Sequence, residues 1–70
     1  MARREIVGSD TCPTLKEAQD RGDAIINAAL LKYQKTAGKD VTVKREDFFR
    51  EEKSSSDGNY RVTVFYEPLN

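Results

Sequence analysis

The chain contains no histidine and no tryptophan, one cysteine, and no surplus charge: 12 Lys plus Arg stand against 12 Asp plus Glu in 70 residues. Each of these shortages excludes something. Without histidine there is no imidazole general base, and the serine–histidine and cysteine–histidine nucleophile pairs are ruled out. Cys12 is alone, so no internal disulfide can staple the fold. One thiol and no imidazole also make a nitrogen- or sulfur-ligated metal site a poor expectation. No apolar run approaches the roughly 20 residues that span a bilayer. Arg3 and Arg4 near the N-terminus have no apolar stretch behind them, so a signal peptide is not expected. An unpaired thiol suits a reducing compartment, and a cytoplasmic protein is the expectation. Charge neutrality argues against a dedicated nucleic-acid binder, whose affinity draws on a basic excess.

What remains is a small domain with a marginal core. Roughly 60 residues bury only about 60% of the unfolded surface, and burial nearly cancels against ordering entropy. With no disulfide or metal expected, self-association is the stabilising route left open. The hydrophobic fraction of 37% is nevertheless clustered and periodic, unlike that of a disordered chain.

The clearest element is a helix. Thr14 and Glu17 have the spacing of a capping box. Leu15, Ala18, Gly22, Ile25, Ile26, Ala29, Leu30 and Tyr33 then recur at helical intervals and fall on one stripe. Lys32 and Lys35 suit the negative end of the helix dipole, and Gly38 is a natural stop. The helix is therefore expected over 14–37. Gly22 lies mid-stripe, where a missing side chain points to close contact with a sheet. Leu31 projects from the polar side near Ala24 and Ala28, as a second contact surface would.

The remainder reads as strands. Residues 3–7 form a first strand, closed by turn chemistry at Gly8-Ser9-Asp10. Val41-Thr42-Val43 alternates and is β-branched. The charged run Lys44–Lys53 contains Phe48-Phe49 and reads as a strand, or as partly helical. Asp57-Gly58 is a strong hairpin-turn signal. Tyr60, Val62, Val64 and Tyr66 share one face of the last strand, with Phe65 on the other. A tight turn at Asp57-Gly58 pairs Phe48 with Glu67; a wide loop brings Phe49 near Tyr60. The expected fold is α+β in the order β-α-β-β: one domain over 1–70, with one long helix on one face of a small, mostly antiparallel three-stranded sheet.

The other sheet face then has nothing in the chain to cover it. Of Phe48 and Phe49, only one can join the core, because neighbours in a strand face opposite ways. The other, with Phe65 and with Arg50 at the rim, is expected to form a protein-contact patch. The leading expectation is a non-enzymatic protein-binding module, a homo-oligomer through this face or the Leu31 side. Free-standing binders without catalytic groups are typical of accessory and inhibitor proteins, phage-encoded inhibitors of host systems among them. That step is analogy. An alternative is single-stranded nucleic-acid binding, with Arg3, Arg4, Arg45, Arg50 and Arg61 gathered beside a stacking phenylalanine. No catalytic residue, cofactor or metal is expected. Cys12 reads as an inert thiol, and the clusters Glu46-Asp47 and Glu51-Glu52 as a solvated face neutralised by Lys44, Arg45, Arg50 and Lys53.

The layout of an Ile6-Val7-Gly8 strand end, one long helix and two strands resembles dodecin, a small flavin-binding dodecamer, over most of the chain in order and length. That resemblance implies an oligomeric small-molecule carrier as a third reading. Dodecins stack flavin on a tryptophan, which this chain lacks, and its second strand is more charged than theirs. No site residue is carried across.

Overall fold

A computed structural model describes residues 4–68. Strand β1 (Glu5–Cys12) leads into helix α1 (Leu15–Ala37). A short 3-10 turn (Arg45–Asp47) precedes β2 (Phe48–Ser54), and a hairpin leads to β3 (Tyr60–Tyr66). The three strands form one antiparallel sheet in the order β1-β3-β2, with α1 across one face. The α+β, β-α-β-β expectation is met.

The helix starts and stops where its caps dictate. The Thr14 hydroxyl accepts from the Glu17 backbone N–H at 3.1 Å. Gly38 takes a positive φ of 89° and donates its N–H to the Gln34 carbonyl. The buried positions are Ala18, Gly22, Ile26 and Ala29. Three of the four are small, so helix and sheet approach closely. A Cβ at Gly22 would lie 2.9 Å from Val62 Cγ2 and 2.5 Å from Arg50 Cδ. The close-approach reading of Gly22 therefore holds, with one addition: the stem of Arg50 shares the space. Leu15, expected in the core, is 44% exposed. It precedes the first buried helix position, Ala18, and its turn overhangs the packed section.

Two small clusters make up the core. Cys12, Ala18 and Val62 pack at one end. Ile26, Ala29, Phe48 and Val64 pack at the other, flanked by Val7, Ile25, Leu30, Tyr33, Val43 and Tyr66. Tyr33, Phe48 and Tyr66 form an aromatic trio, with Phe48 and Tyr33 each 4.8 Å from Tyr66 between ring centroids. Such edge and tilted contacts add to area burial.

Three sequence expectations are corrected. The first strand runs to Cys12 rather than ending at residue 7. Gly8-Ser9-Asp10 lies inside it, because the register shifts between Ile6 and Gly8. The bulge leaves Val7 unpaired, and a Cβ at Gly8 would press on Ile25 at 3.3 Å, so that glycine serves a bulge and not a turn. Val41-Thr42-Val43 is not a strand. Its backbone is held by the Gln34 side-chain amide, which donates to the carbonyls of Gly38 and Val41 and accepts from Val43 N–H. The hairpin is neither of the two expected forms. Ser55 N–H bonds to the Asn59 carbonyl and Gly58 N–H to the Ser55 carbonyl. Gly58 has φ 87°, so Ser56-Asp57-Gly58 is a three-residue loop. Phe48 consequently pairs with Tyr66 and Phe49 with Phe65.

Candidate functional site: the open sheet face

The ladder fixes what each face presents. β3 sends Val62 and Val64 toward α1, where both are fully buried, and Arg61, Thr63 and Phe65 the other way. Across the open face, Ile6, Phe65 and Phe49 align in one row, since Ile6 and Phe49 are the β1 and β2 partners of Phe65. Ile6 is 67% and Phe49 43% exposed. The next rows are Ser9, Thr63 and Glu51, then Thr11, Arg61 and Lys53. The face is therefore an apolar bar bounded on one side by hydroxyls and then charge. On the other side, Arg4 lays its guanidinium 4.9 Å above the Phe65 ring and bonds Glu67 at 3.0 Å. Arginine over an aromatic face keeps its charge while shielding one side of the ring. Lys53 and Glu51 approach to 3.4 Å on the same face. No strand, helix or loop among the described residues lies over the bar.

Of the expected patch, Phe49 and Phe65 lie where the reading put them, and Phe48 is the core member of the pair at 6% exposure. Arg50 does not. It pairs with Val64, so its side chain passes beneath the helix, donating to Asp23 Oδ1 at 2.7 Å and to the Gln19 carbonyl at 3.3 Å. It cannot be the rim of the open face. The arginines of the nucleic-acid alternative are likewise divided. Arg45 binds Asn27 and Asp23 on the helix side, while Arg4 and Arg61 belong to the open face. Arg3 lies outside the described residues. Leu31 projects freely from α1 at 72% exposure, with Ala24 and Ala28 also exposed.

Ile6 is the patch member that sequence reasoning passed over. Its signal was pairing parity: once β1 lies beside β3, a residue opposite Phe65 must share its face. Ile6 lay within the expected strand 3–7, but the sequence does not say which strand β1 pairs with or in which register, and so left its face unassigned. Cys12 is buried against Ala18 and Val62. Among the described residues, no three histidine, cysteine, aspartate or glutamate side chains converge as metal ligands would. No described helix is long and apolar enough to cross a membrane. No protein-family model, curated protein or solved structure matches the chain.

Proposed function

We propose that the protein is a non-enzymatic binding module that makes protein contacts through the open sheet face and self-associates. The observation that carries this is the Ile6–Phe65–Phe49 bar. Three large apolar side chains in one row, framed by polar and charged residues, have the composition of an interface centre with its rim. Monomers rarely leave such a row open on a face this small. An accessory or inhibitor role, of the kind phage-encoded proteins play, fits a binder of this size by analogy alone. A cytoplasmic setting suits its free thiol.

The deciding experiment is sedimentation equilibrium on the wild type and on Phe49→Ser. Association of the wild type at micromolar concentration, lost in a folded Phe49→Ser, supports self-contact through the bar. A wild type that stays monomeric at high micromolar concentration removes self-association and leaves only a different protein as partner.

A further inference from the structure

The helix carries a second surface, on the side away from the sheet. Glu17, Arg21, Ala24, Ala28, Leu31 and Lys35 are all exposed and are separated by alternating steps of four and three residues. At about 100° per residue they fall within an arc of roughly 80°, a straight seam along the helix. Asp20 and Lys32, also exposed, border it. The seam is centred roughly 135° from the buried stripe of Ala18, Gly22, Ile26 and Ala29, so it takes no part in the fold's own core. The neighbouring helix flank is already occupied, because Asp23 and Asn27 hold Arg45 and Arg50.

We infer that this seam pairs with the same seam of a second copy, the two helices running antiparallel. The order of residues along the seam selects that occupant. In an antiparallel pair centred between Ala24 and Ala28, each of these alanines meets the partner's other one. Glu17 then meets Lys35, twice by symmetry, whereas Asp20 and Lys32 lie on opposite flanks of the seam and Asp20 is held by Lys16 at 3.1 Å. Leu31 meets Arg21, whose guanidinium is drawn aside to Asp10 at 3.0 Å and leaves its aliphatic stem to pack against. A parallel pair would set Glu17 on Glu17 and Lys35 on Lys35. Acid at the start and base at the end are what the helix dipole favours on any face. The distinguishing feature here is the uncharged Ala24–Ala28 gap, which sits midway between the opposed charges and lets the backbones approach. Leu31, 72% exposed on the isolated chain, is covered in the pair. A seam with so little apolar area makes a weak, salt-sensitive contact.

The helix pairing does not depend on what the sheet face binds. The test is a complementation made in the wild-type and Phe49→Ser backgrounds, read by sedimentation equilibrium at low and high salt. One variant carries Glu17→Lys, the other Lys35→Glu. Each alone turns both copies of the Glu17–Lys35 pair repulsive and is expected to weaken self-association by roughly fivefold. An equimolar mixture restores opposite charges at every pair and is expected to recover association near the wild-type value. Circular dichroism melts check that each variant is folded. Ala28→Lys, which places two charges on the dyad without touching the core, serves as a third variant should reversal at the helix start unfold the chain. Recovery on mixing that survives Phe49→Ser establishes the seam as the contact and denies that role to the sheet face. Association abolished by Phe49→Ser and indifferent to all the helix variants overturns the seam while leaving the sheet-face reading intact. A wild type that is monomeric throughout overturns the seam too.

Discussion

Gly22 and Arg50 show how one position can depend on another far along the chain. The helix crosses the sheet so closely that the stem of Arg50 and the methyl of Val62 occupy the place of a side chain at Gly22. Alanine is better than glycine in a helix by about 1 kcal/mol. Here, however, the added Cβ would sit 2.7 Å from Arg50 Cγ and 2.9 Å from Val62 Cγ2. Arg50 can swing its stem away only by giving up Asp23 and the Gln19 carbonyl. Val62 is fully buried and cannot yield. Overpacking of this kind costs about 1–3 kcal/mol, so Gly22→Ala is expected to lower the melting temperature despite its helix propensity. A Gly22→Ala variant that melts higher than wild type would show that the layers have slack. Ile26→Ala should cost more, about 2–5 kcal/mol, because it opens a cavity between α1, Phe48 and Val64. Unchanged melting there would place the core on another face of the helix.

Among the elements, the β2–β3 hairpin turns one residue of loop length into a choice between two phenylalanines. A two-residue turn at Asp57-Gly58 would have paired Phe48 with Glu67 and sent Phe49 into the core. The three-residue loop reverses this. Its geometry is fixed by Asp57, which receives the Ser55 hydroxyl and the Asn59 backbone and side-chain N–H groups. The Ser55 hydrogen bond above all, with those from Asn59, holds the Asp57 carboxyl below its ordinary range. Phe48→Ser is therefore expected to cost about 3–5 kcal/mol, much of a small domain's stability. Phe49→Ser, which loses a half-covered ring paired with Phe65, should cost only about 1 kcal/mol, and urea melts of the two separate them. Equal losses would mean that both rings belong to the core. This register was not legible in the sequence, because Ser-Ser-Ser-Asp-Gly-Asn admits several loops of equal merit. The helix was legible from end to end, since its stripe, its cap at Thr14 and its stop at Gly38 agree. β1 was misjudged because Gly8-Ser9-Asp10 has turn chemistry, and only the pairing with β3 turns it into a bulged strand. Val41-Thr42-Val43 has strand composition, yet one distant side chain decides its fate. Gln34→Ala removes two bonds to that segment and one to the Gly38 carbonyl. It should strip hydrogen-exchange protection from the Val43 amide at a stability cost of about 1–3 kcal/mol. Retained protection would show that local packing of Val43 suffices.

In the molecule as a whole, two layers are joined by a hydrophobic seam and by a few polar ties that cross from helix to sheet. The one at the helix's C-terminal half joins Tyr33 to β1: its hydroxyl donates to Glu5 Oε1 at 2.6 Å while its ring packs on Phe48 and Tyr66. That hydrogen bond, followed by burial and the Glu5 charge, raises the Tyr33 pKa to about 12. An unfolded chain ionises tyrosine near pH 10. A pKa raised on folding means that the fold favours the protonated hydroxyl. Its contribution to stability is thus complete below about pH 10 and is lost as pH climbs through about 12. The wild-type curve alone does not isolate the effect of one hydroxyl, so a variant that lacks it is needed. Tyr33→Phe keeps the ring and deletes the proton. The stability difference between wild type and Tyr33→Phe should be constant from neutral pH to about pH 9.5 and then shrink steadily toward pH 12, in urea melts at matched ionic strength. Two curves that stay parallel to the alkaline limit would mean that the hydroxyl contributes no tie between the layers, leaving the aromatic trio and Ile26 to hold helix and sheet together at that end.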